Sequence, residues 1–300
     1  MSEFKSGFVT LAGRTNVGKS TLLNSLIKEK IAITANKVQT TRTAIRGIIT
    51  NKDYQIIITD TPGIHKPKTK LSEAMIETAF SVFKEVDVIL FLIEATSTEI
   101  GRGDSKILEK IKEAKKPCIL VINKIDLSSK ENIAKLISIY SAEYDFSSVI
   151  PVSAFKEKGI EDVLLEIEKL LPEGPKYYEE DEYTDQTSRQ LAEEKIREKA
   201  LKLLNDEVPH GIYVEVENFK GRKTKKGEDI YDIEATIYCL RESHKGIIIG
   251  KQGAMLKRIS TYARQDLERM FGTKINLKVW VKVKEDWQEK ENIVNKFKLK

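Results

Sequence analysis

Cysteine is scarce in this chain: Cys118 and Cys239 are the only two among 300 residues. Two cysteines cannot build a disulfide framework, and such sparing use suits a reducing compartment. Long hydrophobic runs are missing as well. The longest, Val88 to Ile93, falls far short of the roughly 20 residues that cross a bilayer. The opening MSEFKSGFVTLAG carries an early acid and only a short apolar segment, so no secretory leader is expected there. No internal repeat is visible, and the net charge is only +5. What remains is 40% hydrophobic and 32% charged residues. That fraction supports real cores and excludes wholesale disorder, and the length suits two domains.

The small net charge hides an uneven distribution. Residues 1–175 carry 25 Lys+Arg and 23 Asp+Glu. Residues 176–216 carry 6 and 11, and residues 217–300 carry 20 and 12. Within the last block, Arg241–Lys284 holds 11 basic residues against 3 acidic ones. A localised basic face of this kind fits a polyanionic partner.

The first half alternates strand-like and helix-like segments. Phe8–Ala12, Tyr54–Thr59, Val86–Ile93, Pro117–Ile122 and Ser148–Val152 are short apolar runs. Stretches of helical period, Ser20–Ile27, Asp104–Ala114 and Ile160–Leu170, lie among them. Buried strands of a mainly parallel sheet, with helices on both faces, are predicted. The pattern stops at PEGPKYYEEDEYTDQT, an acidic stretch with prolines that reads as a linker. A charged helix over Ser188–Asp206 follows, then alternating strands over Ile212–Phe219 and Ile230–Leu240 around the basic loop FKGRKTKKGED. After a Gly-punctuated turn, Met255, Leu256, Ile259, Ala263, Leu267 and Met270 recur at helical spacing, and Ile275–Val283 alternates again. This is the order of a small α+β domain. Asp286–Phe297 reads as a last amphipathic helix.

Four strings in the first half carry chemistry. Gly13-Arg14-Thr15-Asn16-Val17-Gly18-Lys19-Ser20, followed by Thr21, fits G-x4-G-K-[ST] between a strand and a helix. Its backbone N–H groups can cradle phosphates, Lys19 reaches the β- and γ-phosphates, and Ser20 ligates Mg²⁺. Asp60-Thr61-Pro62-Gly63, with Ile64 next, ends the strand YQIIIT. There Asp60 can hold Mg²⁺ through water and the Gly63 N–H can sense a γ-phosphate. Asn123-Lys124-Ile125-Asp126 follows PCILVI. The Asp126 carboxylate can accept from both donors on the guanine edge, which adenine lacks. Lys124 would lie over the base and Asn123 would tie the loops together. Ser153-Ala154 follows the strand Val149–Val152, where a backbone N–H can meet guanine O6. No metal site beyond that for Mg²⁺ is expected, because His65, His210 and His244 lack ligand spacing.

With these motifs in order, residues 7–171 resemble a Ras-like translational GTPase domain of the TrmE–Era–EngA group (the TrmE-Era-EngA-YihA-Septin-like GTPases). GRTNVGKS departs from that group's usual GRPNVGKS only at Thr15. The resemblance implies that Gln39-Thr40-Thr41-Arg42, with Thr43, is switch I, and that Thr41 joins Ser20 and Asp60 around Mg²⁺. It implies a GTPase that converts GTP and water to GDP and phosphate. The place of the water-orienting glutamine is taken by Ile64, so intrinsic hydrolysis is expected to be slow, with the catalytic group unassigned. An asparagine at the Asn16 position helps bind an activating K⁺ in related members.

In the second half, Ile249-Gly250-Lys251-Gln252-Gly253 precedes a helix that carries Lys257 and Arg258. A G-x-x-G turn between helices lets a nucleic-acid backbone approach closely. With the helix–strand–strand–helix–helix–strand order, the segment resembles a type II KH domain. The expected layout is a GTPase domain over 1–172, a linker over 173–187, a KH domain over 188–284 and a helical tail over 285–300. A GTPase of this group joined to a KH domain resembles the group's bacterial ribosome-assembly members. That likeness implies binding to the 3′ end of 16S rRNA, rRNA processing and assembly of the 30S subunit. It also implies a monomer in the cytoplasm, with peripheral contact to the cell membrane in some bacteria. A metabolic P-loop kinase is the competing reading, but it needs no guanine-specific NKID and SA pair. A tRNA-modification GTPase of the group typically ends in a Cys motif, whereas this chain ends in KFKLK.

Overall fold

The computed structural model describes residues 4–34, 40–65 and 67–297. Packing divides the chain into two compact units. The first runs to Ala32, resumes over Thr41–Asp185 and takes in the chain from Val294; the second comprises Ile33–Thr40 and Gln186–Ile293.

The first unit contains β1 (Lys5–Gly13), α1 (Lys19–Ile27), β2 (Ile45–Thr50), β3 (Tyr54–Asp60), α2 (Lys70–Glu85), β4 (Val88–Glu94), α3 (Arg102–Ala114), β5 (Cys118–Asn123), α4 (Lys130–Glu143), β6 (Ser148–Pro151) and α5 (Ile160–Leu170). The sheet order is β2-β3-β1-β4-β5-β6. All pairs are parallel except the edge pair β2–β3. β3, β4 and β5 are almost wholly buried, because helices cover both faces; their apolar runs are continuous for that reason. One core, including Leu11, Leu22, Ile56, Leu90 and Val163, fills one face of the sheet. Another, including Phe83, Phe91, Ile107, Leu120 and Tyr140, fills the other. The motif strings occupy loops at the carboxyl ends of the strands, where open α/β sheets bind ligands.

Residues 173–185 do not leave this unit as a free spacer. Gly174 N–H donates to the Phe4 carbonyl at 3.1 Å. The side chain of Gln55 is fully buried. Its Oε1 accepts from the Tyr177 and Tyr178 amides at 2.7 and 3.0 Å, and its Nε2 donates to Thr50 Oγ1 at 2.8 Å and Tyr178 O at 2.9 Å. Farther on, Ile48 N–H donates to Tyr183 O at 3.0 Å and Thr184 Oγ1 to Arg46 O at 2.7 Å. The segment thus straps the open edge of β2, which blunts a strand edge that would otherwise be left unpaired.

The second unit holds α6 (Ser188–Leu203), β7 (Tyr213–Lys223), β8 (Asp229–Cys239), α7 (Glu242–Ile249), α8 (Ala254–Phe271) and β9 (Lys274–Val283). Its sheet is β7-β8-β9, antiparallel then parallel. The helical spacing in α8 has its physical outcome in Ile259, Ala263 and Leu267, all fully buried with Ile196 and Ala200 of α6. The basic loop is shorter than its sequence implies: β7 continues to Lys223, so only residues 224–228 form the turn of a long hairpin. The expected terminal helix is also broken into turns, Trp287–Glu289, Glu291–Val294 and Asn295–Phe297. Trp287 causes this. It is fully buried and donates Nε1–H to Gly211 O at 3.0 Å, which pins the chain where a helix would turn away.

Candidate nucleotide and RNA sites

The phosphate loop follows β1 directly. Gly18, with φ of 101°, turns the chain into α1, which Lys19, Ser20 and Thr21 begin. A Cβ on Gly18 would stand 2.2 Å from Asn123 Nδ2, so only glycine fits. Lys19 is 6% exposed, and its Nζ donates to the carbonyls of Gly13 and Arg14 at 3.1 and 3.0 Å. Burial pushes its ammonium down to about 8, with Asp60 opposing the shift.

Three oxygens expected around one cation meet in the fold. Ser20 Oγ donates to Asp60 Oδ2 at 2.6 Å, Thr41 Oγ1 donates to the same oxygen at 3.1 Å, and the two hydroxyls are 2.9 Å apart. The other carboxylate oxygen, Asp60 Oδ1, is buried without a hydrogen-bond partner among the described residues. Burial pushes the Asp60 carboxyl up, while Lys19, Ser20 and Thr41 pull it down. An all-oxygen set with an unmet carboxylate lone pair fits a hard divalent cation such as Mg²⁺. Thr41 and Arg42 are buried and Thr43 is half-buried. Gln39 lies outside the described residues, and Thr40 belongs to the second unit.

Thr61 Oγ1 donates to Leu11 O at 2.9 Å, and the buried Pro62 follows it. Gly63 sits hard against the phosphate loop: a Cβ there would lie 2.8 Å from Thr15 Cα. Ile64 N–H donates to Gly13 O at 3.2 Å. The Ile64 side chain is 4% exposed and belongs to the core cluster with Ala12, Ala79 and Phe83. Buried and without a hydrogen-bonding group, it cannot orient a water by a hydrogen bond.

The guanine-reading string also ties loops together. Asn123 Nδ2 donates to Val17 O at 2.9 Å, and its Oδ1 accepts the Ala154 N–H at 3.0 Å. Of the backbone N–H groups at Ser153-Ala154, the Ala154 amide is therefore engaged by Asn123. Lys124 Nζ donates to Asn16 O at 2.8 Å and pairs with the Glu94 carboxylate. Asp126 accepts from Ser153 Oγ at 2.5 Å. This bond, more than Lys156 and Lys158, holds its carboxyl below the usual range, so it presents a fixed anion. No motif marks Glu94 or Asp104 as functional; both sit near element ends, a position that periodicity does not single out.

In the second unit, α7 ends at Ile249 and α8 begins at Ala254. Gly250 and Gly253 have φ of 72° and 77°, and Gln252 between them has φ of 51°. A Cβ on Gly250 would lie 2.7 Å from Met255 Cβ and 2.9 Å from Met255 N, whereas Gly253 faces open space. Lys251, Gln252, Lys257 and Arg258 are exposed and Ile249 is half-buried. The turn thus offers bare backbone flanked by cations, as a phosphodiester chain requires.

The chain is similar to known proteins along nearly its whole length. Residues 8–124 match the family model of a 50S ribosome-binding GTPase, and residues 207–288 that of a KH domain. The chain is 53% identical over 294 residues to GTPase Era of Caldanaerobacter subterraneus subsp. tengcongensis, covering 98% of this chain and 97% of that one. Against GTPase Era of Clostridioides difficile it is 50% identical over 295 residues, with 98% of each covered. Among solved structures it resembles Era in complex with MgGDPNP and nucleotides 1506–1542 of 16S ribosomal RNA, at a TM-score of 0.93 and 39% identity, with 98% of each chain covered. A point variant of Aquifex aeolicus Era bound to GDP and AlF4⁻ gives the same TM-score and identity, with 98% and 99% covered. With identity of this order along nearly its whole length, the chain belongs to the Era family of GTPases.

Proposed function

We propose that this chain binds GTP and Mg²⁺ in its first unit and hydrolyses GTP slowly. In this reading its second unit holds the 3′ end of 16S rRNA during rRNA processing and assembly of the 30S subunit. The protein acts as a monomer in the cytoplasm, with its basic surface making peripheral contact with the cytoplasmic face of the cell membrane. The domains are a GTPase over 1–172, a junction over 173–187, a type II KH domain over 188–284 and a tail over 285–300. The observation that carries the reading is the meeting of Ser20, Thr41 and Asp60 at one point, in a chain whose other unit offers a G-x-x-G turn.

When bound, Mg²⁺ neutralises charge on the β- and γ-phosphate oxygens; Ser20, Thr41 and, through water, Asp60 are the residues that would hold it. Lys19 exchanges its two carbonyl partners for phosphate oxygens, and the dipole of α1 adds to that attraction. Asp126 accepts from the guanine N1–H and N2–H, and Lys124 lies over the base. A purine O6 at the base site meets a backbone N–H of the Ser153-Ala154 turn. With GTP bound, Thr41 and the Gly63 N–H are held near the γ-phosphate, and hydrolysis releases both. Ile64 offers the attacking water nothing, which leaves its positioning to another group. Asn16 would help hold a K⁺ that would supply part of that function. Hydrolysis is accordingly faster in K⁺ than in Na⁺; equal rates in the two salts would remove K⁺ from the scheme.

Coupling to RNA passes through the strap. β2 begins four residues after Thr41, and the strap on its edge ends three residues before α6. The expected result is tighter RNA binding with a non-hydrolysable GTP analogue than with GDP, read by fluorescence anisotropy. Equal affinity in the two states would refute coupling. In Gln55→Leu, which deletes the buried amide that holds Tyr177 and Tyr178, the two affinities are expected to converge while GTP binding persists.

A further inference from the structure

We infer that Asp104 is a positioning residue of the GTPase reaction, acting on the phosphate loop through Arg14. This rests on the nucleotide reading above. By its place in GRTNVGKS, Arg14 belongs with the phosphate-binding residues. Its side chain has another use. Arg14 Nε donates to Asp104 Oδ1 at 3.0 Å, and the Asp104 side chain is fully buried in the first turn of α3. One glycine makes room for the arginine: a Cβ on Gly103 would lie 2.7 Å from Arg14 Cδ and 3.1 Å from Arg14 Cγ. The arginine stem is thus laid along the start of α3.

The surroundings of Asp104 leave it little other cationic support. Tyr140 of α4 is itself fully buried, and burial first, then the nearby Asp104 carboxylate, pushes its hydroxyl up. Burial pushes the Asp104 carboxyl up, the Arg14 charge and then the Tyr140 hydroxyl pull it down, and Glu94 adds a weaker like charge. A buried carboxylate needs a counter-cation to stay ionised, so the partner is held firmly.

The main chain of Arg14 shows why this matters to the reaction. Its carbonyl accepts from Lys19 Nζ at 3.0 Å. It forms an isolated parallel bridge with Ile64, beside the bond from Ile64 N–H to Gly13 O. The next residue, Thr15, is the surface against which Gly63 packs. One residue therefore touches three parts: α3 by its side chain, the phosphate lysine by its carbonyl, and the γ-phosphate sensor by its backbone. Fixing Arg14 from behind fixes the distance between the loop that holds GTP and the segment that senses its last phosphate.

The test compares Arg14→Ala, Asp104→Ala, their double variant and Asp104→Asn in the full chain. It measures kcat and KM for GTP hydrolysis, GDP affinity and thermal melting. Each alanine variant is expected to lose about 10- to 100-fold in kcat, the range set by an ångström-scale misplacement, with GDP affinity changed far less. The double variant should be no slower than either single one, and Asp104→Asn, which keeps an acceptor for Arg14, should fall between them and wild type. If Arg14 itself touched the phosphates, Asp104→Ala would retain kcat while Arg14→Ala lost it. If the pair only held the fold, melting temperature would fall with kcat per folded molecule unchanged, in Asp104→Asn as well. Either pattern overturns the inference. Failure of the nucleotide reading itself would look different: wild type would show no GTP hydrolysis.

Discussion

Replacing Asp126 by Asn is expected to change the base this protein selects. Two charge-assisted hydrogen bonds at about 1.5–3 kcal/mol each correspond to about 10²- to 10⁴-fold in GTP affinity. Xanthosine nucleotides carry a carbonyl where guanine has its exocyclic amine. The asparagine amide can donate to that carbonyl and accept from N1–H, so affinity for them should rise by a similar factor. The effect should be confined to the base. Asp126 lies in an exposed position with Ser153 and Lys156 as side-chain partners, whereas the loop ties run through Asn123 and Lys124. Melting temperature should therefore move little. Competition binding with GDP and xanthosine diphosphate measures the exchange. Unchanged preference for GDP would favour a P-loop kinase in which NKID does not read the base.

Lys251→Asp combined with Gln252→Asp is expected to abolish RNA binding while leaving basal GTP hydrolysis intact. Both residues are exposed. The pair of changes removes one cation and places two anions where a phosphodiester backbone would run. Each lost phosphate contact should reduce the salt slope of single-strand binding by about 0.7, and affinity should fall by about 10²-fold or more at physiological salt. The glycines are the weaker choice for this test. Gly250→Asp would drive a Cβ to 2.9 Å from the backbone nitrogen of Met255 and deform the start of α8. Loss of binding there would not separate a broken site from a broken helix. Gln252 has φ of 51°, which aspartate tolerates better than most residues. Crosslinking in cells should show reads at the 3′ end of small-subunit rRNA for wild type and none for the variant. Reads that persist in the variant would remove the G-x-x-G turn from the RNA site.

Much of the fold was legible because its signals are local. α5 occupies Ile160–Leu170, the span its apolar period indicates, since an amphipathic face declares itself within a few turns. β2 and α2 were not read. β2 is an antiparallel edge strand of half-buried and buried residues, so its pattern is neither clean alternation nor a continuous apolar run. α2 starts with a reciprocal cap between Thr69 and Ser72, and serine at that third position lacks the glutamate or glutamine that makes such a cap recognisable. The terminal stretch misled for the opposite reason. Its residues fit a helical face, but the burial of Trp287 against Gly211 outweighs local preference.

The nucleotide and RNA strings, the order of the two domains and the membership of the Era family were determined by sequence alone. Each motif acts through backbone geometry and a few contiguous side chains, so its meaning is carried in the string itself. Tertiary structure decided the rest. It turned Ile64 into the core and strapped residues 173–185 to the sheet edge through Gln55, 122 residues from Tyr177. It also aimed Arg14 at Asp104, 90 residues away. Periodicity shows which face of an element is buried, but not which two polar groups will meet beneath it. A buried polar side chain must find partners wherever the fold brings them, and that choice is made only when distant segments pack.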